Sequence, residues 1–283
     1  MYKRSVDDIL KLALEISPCV LLSGARQVGK STLCLSLDRE YRVTGGYLEI
    51  LKIDSAKGRS LWFNAYISTY VERDIRDVGE LRDISAFIRF YNIIAPRSCG
   101  LVNKSDLANE ANLSEATVNN YLSMLEMIYQ ISLLQPFASN ISKRFIKSSK
   151  MFMTDSGLFC HLLDINNVDE LLNSTHKSDV VETFVYAELL KHIGYSQAQA
   201  KIYHYRTNDK KEIDFILEKG NKIFAIEVKS SKSIKKDAFK HIEDLQKKSD
   251  KEVIGIVFYT GDDMLPFGDE SNARFALPLS LFF

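Results

Sequence analysis

The run Gly24-Ala25-Arg26-Gln27-Val28-Gly29-Lys30-Ser31 constrains this chain more than any other stretch. It has the form G-x-x-x-x-G-K-[ST] and follows the apolar residues Cys19-Val20-Leu21-Leu22, so a buried strand feeds a loop whose backbone N–H groups can curl around phosphate oxygens. Lys30 can reach the β/γ-phosphates and Ser31 can hold Mg²⁺. A helix running on through Thr32 to Leu37 would aim its positive end at the same anion. The alternative is a glycine-rich turn that binds nothing.

Hydrolysis by such a loop needs a second carboxylate, normally closing another buried strand, to hold Mg²⁺ and orient water. No such strand is legible. Ile53-Asp54 and Leu37-Asp38 come nearest, but neither acid follows a four-residue apolar run. Nor do the further βα units of a complete parallel sheet follow, since Thr44-Gly45-Gly46-Tyr47 gives way to a helical pattern from Leu61 to Asp74. Residues 1–82 therefore read as a shortened phosphate-binding segment.

A chain of 283 residues with 46% hydrophobic content has room for about two domains with real cores. Its formal net charge is zero, so any attraction to nucleic acid must come from local patches. Cys19, Cys34, Cys99 and Cys160 are widely spaced, which argues against a zinc site and for thiols in a reducing compartment. No run of about 18 apolar residues appears, and the expectation is a cytoplasmic protein with no membrane partner.

Residues 83–165 carry a helix from Ile84 to Ala95, a short one from Lys104 to Ala111, and a third opened by Ser114 as N-cap, followed by a strand at Ile131–Leu134. That order is that of a winged helix-turn-helix. Thr117, Asn119 and Asn120 would face base edges in a DNA-reading version; a packing module of the same shape is the alternative, because the third helix has no Lys or Arg to anchor phosphates. The basic cluster from Lys143 and Arg144 to Lys150 could meet a DNA phosphate, or protect a strand edge. Met151–Asp155 reads as a strand, Ser156-Gly157-Leu158 starts a helix, and 166–177 is polar and irregular.

Residues 178–283 read as α-β-β-β-α-β: a helix from Val180 to His192, strands at Ile202–Arg206, Glu212–Leu217 and Ile223–Lys229, a helix from Ala238 to Lys247, and a buried strand at Val253–Phe258. Asp214 and Glu227, on adjacent strands of one hairpin, can share a divalent cation that polarises a phosphodiester and acidifies a bound water. Lys229 follows Glu227 by two residues, hence on the same strand face, where it could position a nucleophile or stabilise developing charge. Glu182 could add a ligand from the preceding helix. Glu-Val-Lys also occurs on ordinary exposed strands, so the chemistry rests on the residues acting together.

The chain resembles the prokaryotic predicted ATPases in which an AAA-type P-loop domain precedes a winged-helix segment and a C-terminal domain of unknown function with a restriction-endonuclease-like fold. The resemblance runs through Leu22–Thr32, Tyr66–Asp74, Thr154–Leu158, Glu182–Val185, Tyr205–Thr207, Glu212–Phe215 and Ile226–Lys229. It implies ATP and Mg²⁺ binding at Gly24, Gln27, Gly29, Lys30, Ser31 and Thr32, and nuclease-like core positions at Glu182, Asp214, Glu227 and Lys229. The chain departs from the pattern between Val43 and Glu49, where the middle of the ATPase domain with its second acidic motif is missing. Three functions follow: an ATP-binding protein with impaired hydrolysis, a Mg²⁺-dependent nuclease or nucleic-acid-binding module, or an interaction scaffold. In the scaffold, a second copy or another protein covers the strand edge at Cys19–Leu22.

Overall fold

A computed structural model describes residues 43–47, 49–78, 81, 83–137, 148–196, 199–269 and 272–282. Gly24 to Thr32, Lys143 and Arg144 lie outside the described residues. The architecture is mixed, with helices and two sheets, and the chain divides into two compact units: Met1–Ser132 with Met151–Ala187, and Leu133–Lys150 with Glu188–Phe283.

In the first unit, Ser55 accepts a hydrogen bond from the Gly58 N–H (3.1 Å) and so starts α1, Ala56–Tyr66, earlier than the apolar spacing from Leu61 implies. A π-helical turn, Ile67–Val71, carries it into α2, Glu72–Val78. Asp83 caps α3, Ile84–Ile94, which buries Phe87, Phe90, Tyr91 and Ile94; it packs on α4, Lys104–Ala111, and its Phe87 and Phe90 meet Tyr121 of α5, Glu115–Met127. Asn112 joins α4 to α5 at φ 53°, a left-handed conformation that asparagine tolerates. The expected strand is β1, Ile131–Leu134, and it pairs with β2, Lys150–Met153.

Asp155 caps α6, Ser156–Leu162, accepting from the Leu158 N–H at 2.8 Å, and its other oxygen accepts from the Gly46 N–H at 2.7 Å. A carboxylate thus ties the Thr44–Tyr47 segment to the start of a distant helix. The approach is so close that a Cβ on Gly45, at φ +76°, would lie 2.1 Å from Asp155 Oδ1. Gly45→Ala is therefore expected to cost about 3 kcal/mol, from strain and overpacking together, measured as a lowered thermal midpoint. The sequence-based reading of 166–177 as irregular misses α7, Val168–Asn173: it is short, capped by Asn167, and buries only Leu171. After it, α8, Lys177–Tyr195, starts before Val180 and runs on past His192.

The second unit is built on a six-stranded sheet in the order β3-β4-β5-β6-β8-β7. Its strands are β3 (Lys201–Arg206), β4 (Glu212–Lys219), β5 (Lys222–Lys229), β6 (Glu252–Tyr259), β7 (Leu265–Phe267) and β8 (Arg274–Pro278). Strands β3, β4 and β5 form an antiparallel meander, whereas β5, β6 and β8 run parallel, with α9, Lys240–Gln246, in the β5–β6 crossover. Ile216, Ile223, Ala225 and Val257 on one sheet face join Ile242 and Leu245 of α9 in a hydrophobic core cluster. On the other face Leu217, Phe224, Ile226, Ile256 and Phe258 line a cavity of about 350 Å³ with Leu189 and Ile193 of α8. Strands β7 and β8 are additions that periodicity misses. Pro266 cannot donate to a ladder and is tolerated because β7 is an edge strand.

Candidate cation site on the sheet of the second unit

The β4–β5 hairpin sets the site. Lys219 pairs with Lys222 across Gly220-Asn221, with Gly220 at φ +59°, and the antiparallel register runs on to Phe215↔Ile226. One step further along that register Asp214 comes opposite Glu227. On β5 the stripe Ile223, Ala225, Glu227, Lys229 occupies one face, its first two members in the core under α9. The stripe becomes polar toward the C-terminal end of a parallel strand, which is where open α/β sheets place their ligands.

Three side chains expected from the sequence are brought together here. The Val228 N–H donates to Asp214 Oδ2 at 2.8 Å, and Lys229 Nζ donates to Glu227 Oε2 at 2.9 Å. The Glu227 side chain is 8% exposed and Lys229 is 41% exposed. Burial, and next the Asp214 charge, push the Glu227 carboxyl up to about 8, against the pull of Lys229 and Lys150. Glu182 stands on α8 within the first unit.

Sequence reasoning misses Lys150, Glu212 and Arg206 as further members. Lys150, expected in a basic surface cluster, is buried, with Nζ 3.3 Å from Glu212 Oε1 and 3.6 Å from Asp214 Oδ1. Arg206 Nη1 lies 3.3 Å from Glu212 Oε2, so Glu212 is held between two cations. His204 flanks this array with Nε2 3.2 Å from the Ser148 carbonyl; burial, and then Lys150, lower its pKa to about 4. The ring is therefore neutral near pH 7. Glu212 could have been found two residues before Asp214 on the same strand face, whereas no local signal marks Lys150.

Among the described residues, no group of three or more His, Cys, Asp and Glu side chains is arranged to hold a metal ion. Two adjacent carboxylates nonetheless fit Mg²⁺, which is bound through one or two carboxylates and completes its shell with water and substrate phosphate oxygens. The mutual charge of Asp214 and Glu227 is the demand that such a cation would meet. In the first unit, Lys104 Nζ donates to Asn119 Oδ1 at 2.6 Å, placing a cation from α4 beside the polar residues of α5. Also among the described residues, no helix is long and apolar enough to cross a membrane.

Residues 37–169 match the model of a domain of unknown function, DUF8612, and residues 177–282 that of another, DUF4143. Uncharacterized proteins of Mycobacterium tuberculosis and Mycobacterium bovis are each 28% identical over 254 residues, 88% of this chain and 54% of the relative. One of Haemophilus influenzae is 25% identical over 228 residues, covering 77% of this chain and 53% of the relative. The chain thus spans about half the length of the curated relatives it matches. A solved assembly of Thermococcus gammatolerans McrB AAA+ hexamers with bound McrC overlaps 67% of this chain and 47% of its own at 11% identity and a TM-score of 0.30, too loose for a shared fold.

Proposed function

We propose that this chain is an ATPase-related protein that binds ATP through Gly24–Thr32 and uses its C-terminal unit for divalent-cation-dependent phosphodiester chemistry of the restriction-endonuclease type. The ATP reading rests on the G-x-x-x-x-G-K-[ST] run and on the resemblance of the chain's motifs to AAA-type P-loop ATPases. Hydrolysis is impaired in this reading, because the sequence after the loop departs from the family pattern where the second acidic motif would stand.

One observation carries the reading of the C-terminal unit: Asp214 and Glu227 meet on neighbouring strands with Lys229 beside them, toward the C-terminal end of the sheet's parallel strands. Asp214, oriented by the Val228 N–H, and Glu227 would hold the cation. When bound, the cation supplies charge to a phosphodiester oxygen and acidifies water. Lys229, the most exposed of the three, can leave Glu227 for a substrate phosphate. Supercoiled plasmid incubated with the full chain and Mg²⁺ or Mn²⁺ tests this. Nicking that EDTA stops and that Asp214→Asn lowers by about 100-fold or more is expected. Nicking indifferent to EDTA and to Asp214 would overturn the reading.

A further inference from the structure

Lys150 is a fixed charge at this site that cannot itself meet a substrate. Its side chain is 3% exposed, it faces Asp214 Oδ1 and Glu212 Oε1, and the other oxygens of those acids are held by the Val228 N–H and Arg206. We propose that Lys150 is a built-in cation of the Asp214–Glu227 site, a positioning residue that stands in for a divalent ion in the cation-free protein and opposes its uptake. This rests on the reading of Asp214 and Glu227 as cation ligands.

The sign of the effect follows from charge alone. A divalent ion beside Asp214 sits close to a buried positive charge, and repulsion in a water-poor site is several times that in bulk water. Even if a carboxyl proton leaves as the ion enters, the site still gains one positive charge. Lys150 therefore weakens binding whether or not a proton is released. In return it spares Asp214 and Glu212 the cost of standing buried without a counter-charge. The resulting site takes up its cation reversibly rather than as a permanent structural ion.

The test is calcium binding to the full chain by calorimetry, beside Lys150→Met, Lys150→Arg and Asp214→Asn, with melting curves in EDTA and in Ca²⁺. Lys150→Met should bind Ca²⁺ tighter by about tenfold or more, and Lys150→Arg should stay within about threefold of the parent. Lys150→Met should also melt lower in EDTA and regain most of the loss in Ca²⁺. If it folds only when Ca²⁺ is added, the proposal is equally supported. A prop without an electrostatic role would give lower melting that Ca²⁺ does not restore and binding no tighter than the parent, and either result overturns the proposal. Parent binding that Asp214→Asn removes, with Lys150→Met unchanged, sinks the proposal alone. No parent binding, or binding that Asp214→Asn leaves intact, sinks the cation-site reading and the proposal with it.

Discussion

Glu227→Gln should make the cation-free protein more stable at pH 8 than the parent, although it removes an ion pair. In the folded chain burial and the Asp214 charge raise this carboxyl from 4.5 to about 8, so the native state holds a proton that the unfolded chain has lost. Stability tied to that proton is fully present below 4.5 and is lost as pH rises through about 8, at about 1.4 kcal/mol per pH unit where the two states differ by one proton. Glutamine keeps the shape and an acceptor for Lys229 but carries no charge to desolvate. The melting curves of parent and variant should nearly coincide at pH 4.5 and separate by roughly 5 °C or more at pH 8. His204 titrates in the opposite sense, its lowered value costing stability in acid, but it is present in both proteins and cancels in the difference. A divalent cation should close the gap at pH 8 by stabilising the parent alone. Parallel curves would mean that Glu227 is not the group in strain.

Lys30→Ala should abolish binding of Mg-ATP measured by calorimetry, a loss of about 100-fold or more in affinity. Backbone N–H groups alone cannot neutralise the β/γ-phosphates, and in loops of this pattern the lysine is the side chain that reaches them. Phosphate release followed in the same samples should be negligible in both proteins, because the second acidic motif that would orient water is missing after the loop. Binding without release would make ATP a structural or switching ligand. Steady release by the parent would mean that another residue provides the missing carboxylate, and absent binding that the loop no longer serves nucleotide.

The part of the site that was legible lies close together in the sequence. Asp214, Glu227 and Lys229 belong to one hairpin whose alternation and turn fix both register and face, so two short strands were enough to bring them together. Lys150 was not legible, because charge at the end of a basic run reads as solvated surface. Its burial depends on the 148–150 segment reaching β3, where His204 meets the Ser148 carbonyl. The helix α5 announced itself through Ser114 as its cap, whereas the Asn103 cap of α4 emerged only in the structure. By contrast α7 buries too little to leave a periodic trace, and the prolines of β7 and β8 masked the edge of the sheet. The Thr154–Leu158 run stood out in the sequence without a reason. Its role is to cap α6 and clasp Gly46 through one aspartate.

The most direct test of the cation site is to grow crystals of the full chain in Mn²⁺ and locate the ion by its anomalous scattering. The reading offered for the C-terminal unit predicts a peak at about 2 Å from carboxylate oxygens of both Asp214 and Glu227, with Lys229 released from Glu227. A map with no peak there, and with Lys229 still bonded to Glu227 at saturating Mn²⁺, would contradict it.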